Sequence, residues 1–271
     1  MPELPEVETT RRGIEPHLLH HKLIGAVVRN RQLRWPVPTN LANKIQGQTV
    51  HSVRRRGKYL LLQLDEATIM LHLGMSGSLR ITASDTAPEK HDHIDLQLDS
   101  GLCLRLRDPR RFGSLHLIKG EALQHDLLKD LGPEPLTSDF DDDYLYQRSR
   151  KRKLAIKLFI MDSKTVVGVG NIYASEALFR AGIRPSRAAG KITRAEYQKL
   201  VSAIKDVLQA AIRSGGTTLQ DFTNSEGKPG YFKQRLQVYD REAEPCTQCG
   251  GAIKHTVMGQ RATYYCPRCQ S

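Results

Sequence analysis

Four of the chain's five cysteines fall in its last 26 residues, as "CTQC" (246–249) and "CPRC" (266–269) with sixteen residues between the pairs. No other feature restricts the fold so sharply. Each C-x2-C turn presents two thiolates to one ion, and two such turns close a tetrahedron. The spacing is that of a zinc site built from Cys246, Cys249, Cys266 and Cys269. Two disulfides or a redox dithiol are the alternatives. The N-terminus carries no secretory pattern, so a reducing cytosol argues against disulfides, and no βαβ pattern surrounds the cysteines as a redox motif would want. A closed set of four thiolates leaves no position for substrate, so one structural Zn2+ per chain is expected, with no organic cofactor. Between the pairs, "IKHTVMGQRATYY" reads as a β-hairpin turning at Gly259–Gln260, with Arg261 near its tip. Cys103, in the alternating "GLCLRLR", reads as a buried strand residue.

Upstream of this tail two periodicities divide the chain. From Leu23 to about Leu131, "YLLLQL", "TIMLHL", "SLRI", "HIDLQL", "GLCLRLR" and "GSLHLI" are short, largely alternating runs punctuated by Gly, Asp and Pro. They predict a sandwich or barrel after a first helix of roughly 5–19, ending or bending near Pro16. "LGPEPLTSDFDDD" has the composition of a linker or surface loop. Beyond it, "TRAEYQKLVSAIKDVLQAAIRSGG" is the clearest helix. Thr193 and Glu196 form a capping-box pattern, Leu200, Val201, Ile204, Val207, Leu208, Ala211 and Ile212 make an apolar stripe, and Gly215 and Gly216 stop it. "NIYASEALFRAGI" predicts a shorter helix after "GVG". No internal repeat is present. At 271 residues with 39% hydrophobic content, the chain can form two domains, or one with an appendage.

Lys and Arg number 41 against 29 Asp and Glu, a formal charge of +12. The excess is clustered in "RRRGK" (54–58), "LRLRDPRR" (104–111) and "RSRKRKLAIK" (148–157). Three such clusters favour phosphate contacts, hence a nucleic-acid partner. No run of eighteen apolar residues and no basic amphipathic helix with an aromatic face is present, which sets a membrane partner aside and predicts a cytoplasmic protein.

Against this basic background the opening "MPELPEVETT" stands out. Pro5, Glu6 and Glu8 suit a helix start, where the missing N–H costs nothing and carboxylates face the positive end of the dipole. That leaves Pro2 and Glu3 unexplained. Taken in order, "PELPEVET", "LHLGMSGSLR", "DPRRFG", "LGPEPL", "VVGVGNIYASEALFRAGI", "GGTTLQDF", "GKPGYF" and "QRATYYCPRCQ" resemble the formamidopyrimidine-DNA glycosylases, from residue 2 to 270. The resemblance implies an α+β multidomain fold. Its parts are an N-terminal catalytic β-sandwich with an N-terminal helix (1–133), a helical helix–two-turn–helix DNA-binding domain (134–225) and a C-terminal four-cysteine zinc-finger β-hairpin (237–271). It also implies a monomer that acts on damaged double-stranded DNA in base excision repair, associating with the nucleoid.

The residue roles follow from the same resemblance. With Met1 removed, Pro2 becomes a terminal secondary amine. An α-amino group has a pKa near 8, so roughly a tenth is unprotonated at pH 7, against well under a thousandth of a lysine. In the family this amine attacks the sugar C1′, expels the damaged base and leaves a cationic iminium that acidifies the C2′ proton for β- and then δ-elimination. Glu3 matches the general acid that protonates the sugar ring oxygen. Lys58 matches the lysine of β-elimination. Arg261 matches the hairpin arginine of δ-elimination, where a guanidinium stabilises the leaving phosphate better than it donates a proton. Met75, Arg110 and Phe112 correspond to the trio filling the void left by the extruded base, although Met75 and Phe112 taken by themselves read as core residues. His72, His91, Arg110, Arg152 and Asn171 map to DNA-backbone contacts. "SGGTTLQDFTNSEGKPGYF" aligns with a loop closing over the flipped base. An endonuclease VIII-like enzyme for oxidised pyrimidines is the nearest alternative, and "PELPEV" rather than "PEGPE" weighs against it. A non-catalytic zinc-ribbon DNA binder explains charge and cysteines but leaves Pro2, Glu3 and Lys58 without purpose.

Overall fold

The computed structural model describes residues 2–216 and 236–271. The chain divides into two compact units, Met1–Lys129 with Ser214–Tyr231 and Asp130–Arg213 with Phe232–Ser271.

The first unit opens with α1 (Leu4–Leu18), which buries Leu4, Val7, Ile14 and Leu18. Pro16 does not end this helix; it sits in the last turn, and the helix continues to Leu18. Strand β1 (Leu23–Val28) and the short α2 (Leu41–Ile45) follow, then β2 (Ser52–Arg56), β3 (Tyr59–Gln63), β4 (Ala67–His72), β5 (Ser78–Ala83), β6 (Asp92–Leu98), β7 (Leu102–Arg107) and β8 (Ser114–Lys119). They form two four-stranded antiparallel sheets, β1-β6-β7-β5 and β2-β3-β4-β8. Alternate residues of both meet in one core: Leu60, Leu62, Ile69, Leu71 and Leu115 from one sheet, Leu79, Ile94, Leu96, Leu104 and Leu106 from the other. The architecture is therefore a sandwich rather than a barrel. All six runs read as strands are strands. Strand β2, the "SVRRR" segment, was legible only as charge, because its one buried side chain is Val53.

Part of the clustered charge is paired within the protein. Arg105 is 4% exposed and grips Asp95 through two hydrogen bonds of 2.8 and 2.9 Å. Arg55 donates to Glu8 on α1 at 3.1 Å, and Arg107 pairs with Glu89. Burial opposes ionisation of Glu8, yet the guanidiniums of Arg11, Arg12 and Arg55 hold its carboxyl below the usual range.

The second unit comprises α3 (Asp142–Ser149), α4 (Ile156–Met161), α5 (Asn171–Arg180), α6 (Arg194–Arg213) and the hairpin β9 (Lys254–Met258) and β10 (Arg261–Tyr265). The end of the acidic run that resembled a loop begins α3, with Asp141 capping it by accepting from the Tyr144 N–H at 2.7 Å. Helix α6 carries the expected capping box: Glu196 accepts from the Thr193 N–H at 2.8 Å and Thr193 Oγ1 from the Glu196 N–H at 3.2 Å. Leu200, Val201, Ile204, Val207, Leu208 and Ala211 are buried. Helix α5 is buried from Ile172 to Phe179, and Phe179 enters a small core with Val238, Ile253, Cys246 and Cys266. No described helix is long and apolar enough to cross a membrane.

Candidate active site

At the N-terminus, Pro2 is buried, Glu3 is 2% exposed and Glu6 is fully buried. Glu3 is the N-cap of α1, and its N–H donates to the Glu6 carboxylate at 2.9 Å, one half of a capping box. A terminus is ordinarily loose; here the helix start holds Glu3 in place, and Pro2 beside it is buried.

Lys58 lies in the two-residue turn Gly57–Lys58 that joins β2 to β3, where Arg56 pairs with Tyr59. Across β3 and β4, Tyr59 faces His72 in register, with ring centroids 4.7 Å apart. Burial, then the charges of Lys58 and Arg34, push His72 down to about 4. Its Nδ1 accepts from the Gly74 N–H at 3.0 Å, so the hydrogen of the neutral ring sits on Nε2. The stability consequence has a definite sign. The folded value lies below the unfolded value near 6.5, so the native state binds fewer protons between the two. The contribution is complete above about pH 6.5 and is lost as pH falls toward about 4. His72→Gln, which keeps an acceptor for Gly74, is expected to flatten the fall in Tm across that window. An unchanged slope would show that His72 is not the titrating group.

Met75, Arg110 and Phe112 come together at the surface of the first unit. Met75 lies in the turn after β4 and is half-buried. Phe112 is 42% exposed, and the Arg110 guanidinium stacks on its ring at 4.8 Å. Gly74 makes the approach possible: at φ +62°, a Cβ there would fall 2.3 Å from the Phe112 carbonyl carbon. His91 is next to this group, its carbonyl accepting from the Asp108 N–H at 3.0 Å. Asp108 and Ser76 are the residues here that sequence reasoning passed over. Asp108 looked like one acid among four arginines.

In the second unit, Asn171 is the first residue of α5. Its Nδ2 donates to the Ala262 carbonyl on β10 at 2.9 Å. Lys157, wholly buried, donates to the same carbonyl at 2.9 Å and to Thr263 Oγ1 at 2.8 Å. Thr263 Oγ1 in turn donates to the Arg261 carbonyl at 3.2 Å. Asn171 and Lys157 thus fix the strand that presents the exposed Arg261. Lys157 was hidden in a basic run that read as phosphate-binding. Glu176, also on α5, accepts the N–H groups of Gln237, Val238 and Tyr239 at 2.8–2.9 Å. Burial pushes its carboxyl up against the opposing pull of those donors. Arg152 is exposed, its backbone tied to Ser149 and Gly190. The expected lid lies, from residue 217 on, outside the described residues.

The hairpin turns at Gly259 and Gln260, with φ of 53° and 60°, and Arg261 pairs with Met258. The four cysteine sulfurs lie within 4.8 Å of one another, with Cys246–Cys269 at 3.9 Å and Cys249–Cys266 at 3.5 Å. Thiolates about 2.3 Å from one zinc ion stand about 3.8 Å apart in a tetrahedron, so the donor set fits. All four positions are filled by sulfur, and the zinc this site holds is structural. Gln270 secures it, accepting from the Cys266 N–H at 2.8 Å and donating to the Ile183 carbonyl at 2.9 Å.

The β-sandwich, the helical unit and the four-cysteine hairpin are each matched by a family model, and the two larger matches place the chain among DNA glycosylases. The N-terminal domain of formamidopyrimidine-DNA glycosylase matches residues 1–115, its H2TH domain 131–223, and a zinc finger found in FPG and IleRS 243–271. The chain belongs to the formamidopyrimidine-DNA glycosylase family. It is 58% identical over 270 residues to the formamidopyrimidine-DNA glycosylase of Thioalkalivibrio sulfidiphilus and 57% to that of Methylococcus capsulatus, each covering all of both chains. Among solved structures, it is similar to the Fpg protein of Thermus thermophilus (38% identity, TM-score 0.89, 99% of this chain and 98% of that one). It is also similar to the Lactococcus lactis Fpg in complex with DNA containing an abasic site (34% identity, TM-score 0.91, 99% of each chain).

Proposed function

We propose that the protein is a base-excision-repair DNA glycosylase and AP lyase that removes oxidised purines, 8-oxoguanine and formamidopyrimidines, from duplex DNA. The observation that most supports this is the terminus itself, where Pro2 and Glu3 are buried at the head of α1 rather than trailing in solvent. The Pro2 nitrogen attacks C1′ of the damaged nucleotide while Glu3 protonates the ring oxygen. The glycosidic bond breaks, the base leaves with a proton, and an iminium links protein to sugar. Loss of the C2′ proton then cleaves the C3′–O bond, and a second elimination cleaves the C5′–O bond. Lys58 serves the first elimination. Arg261 stabilises the departing phosphate.

Arg110, His72, His91, Arg152 and Asn171 contact the DNA backbone, and Met75, Arg110 and Phe112 occupy the space the base vacates. The functional division is 1–133 for chemistry, 134–225 for DNA binding and 237–271 for the zinc finger, with one chain acting alone in the cytoplasm on the nucleoid. Lesion choice is tested by comparing single-turnover release of 8-oxoguanine and thymine glycol from otherwise identical duplexes. Faster release of 8-oxoguanine is expected, and faster release of thymine glycol would assign the chain to the pyrimidine-directed enzymes instead.

A further inference from the structure

We propose that Asp108 is a positioning residue that locks the loops bearing Met75 and Phe112 into one rigid wedge, an inference that rests on the void-filling reading of Met75, Arg110 and Phe112. Asp108 is fully buried and every polar group it has is engaged. Its Oδ1 accepts from the Ser76 hydroxyl at 2.8 Å, and its Oδ2 from the Gly113 N–H at 2.7 Å. Its own N–H donates to the His91 carbonyl at 3.0 Å. Its carbonyl accepts from His93 Nε2 at 2.9 Å and from the Arg111 N–H at 3.1 Å. Ser76 Oγ closes the circuit by accepting from the Arg110 N–H at 3.1 Å. The carboxylate therefore joins the turn after β4 to the loop between β7 and β8, and the Asp108 backbone ties that loop to the turn before β6.

Packing is incomplete at this arrangement: Phe112 is 42% exposed. Arg110, stacked on that ring, is exposed as well. Hydrogen bonds to a buried charged acceptor are short and roughly twice as strong as neutral ones, and here they act at the roots of both tips. Asp108→Asn preserves shape but not pattern. An amide that turns its oxygen to the Gly113 N–H presents its NH2 to Ser76, and the Ser76 O–H, which now donates to Oδ1, loses its acceptor. Ser76→Ala severs the same link without changing charge.

A wedge matters when a stacked, paired base has to be extruded and its place filled; it matters little where there is neither base nor stack. Two single-turnover rates separate the cases: release of 8-oxoguanine paired with cytosine in a duplex, and strand cleavage at a preformed abasic site in a single-stranded oligonucleotide. Asp108→Asn and Ser76→Ala are each expected to slow the first roughly tenfold and the second less than about twofold, because misplaced loops weaken extrusion and leave the amine chemistry intact. In a Met75→Ala background, itself slow on the duplex, Asp108→Asn should add less than about twofold, since residues acting as a unit are not additive. An undiminished tenfold loss in that background, or equal slowing on the single strand, would overturn the positioning role. Normal duplex excision by Met75→Ala alone would instead remove the wedge on which the inference stands. Ser76→Ala carries the same cycle if Asp108→Asn fails to fold.

Discussion

Pro2→Gly is expected to bind lesion DNA as the native protein does and to lose most of its borohydride trapping, by about 10²-fold or more, the scale on which a small misplacement of reacting atoms acts. The substitution changes geometry and charge at the nitrogen. In proline the ring fixes the nitrogen about its bond to Cα, whereas in glycine that bond turns freely. The adduct of a secondary amine also stays cationic, while that of a primary amine can shed a proton to a neutral imine and cease to withdraw electrons from C2′. The check is the fraction of protein covalently joined to lesion duplex after reduction, beside the Kd for the same duplex, with mass analysis of the joined peptide. Trapping undiminished by the substitution would identify another amine, Lys58 foremost, as the nucleophile.

Complete removal of zinc is expected to abolish DNA binding. Structural zinc sites contribute about 10–16 kcal/mol of binding free energy, comparable to the whole net stability of a typical domain, about 5–15 kcal/mol. Without the ion the two C-x2-C turns have nothing to face, and the small core of Phe179, Val238 and Ile253 loses Cys246 and Cys266 as packed neighbours. Arg261 then lacks a fixed platform. Binding measured before chelation, after it with metal content verified, and after zinc is restored should fall and recover. Affinity retained in demonstrably metal-free protein would show that the hairpin is held by other means.

The zinc spacing, the turn at Gly259–Gln260 and the capping box at Thr193 were legible because each is written within a few adjacent residues. The strands were legible for the same reason, as alternation is local. What escaped was long-range. Asp108 meets Ser76 across 32 positions, Glu176 meets Val238 across 62, and Lys157 meets Ala262 across 105. Nothing near Asp108 in the chain marks it as a junction, and nothing in "RSRKRKLAIK" separates Lys157, which is buried, from Arg152, which is exposed. The same limit blurs charge. Arg55, Arg105 and Arg107 sit in clusters that look like phosphate-binding stripes, yet their partners are Glu8, Asp95 and Glu89.

Helix α5 spans only ten residues, yet it carries Asn171 at one end, Glu176 midway and Phe179 near the other. Inserting or deleting a single residue within it would turn one end relative to the other by about 100°. Whichever half kept its bearing, the other would release either the strand under Arg261 or the backbone at 237–239. Such a segment can drift in chemistry but hardly in length, so the freedom to grow or shrink over evolutionary time falls to the solvent-facing connections and not to this rod.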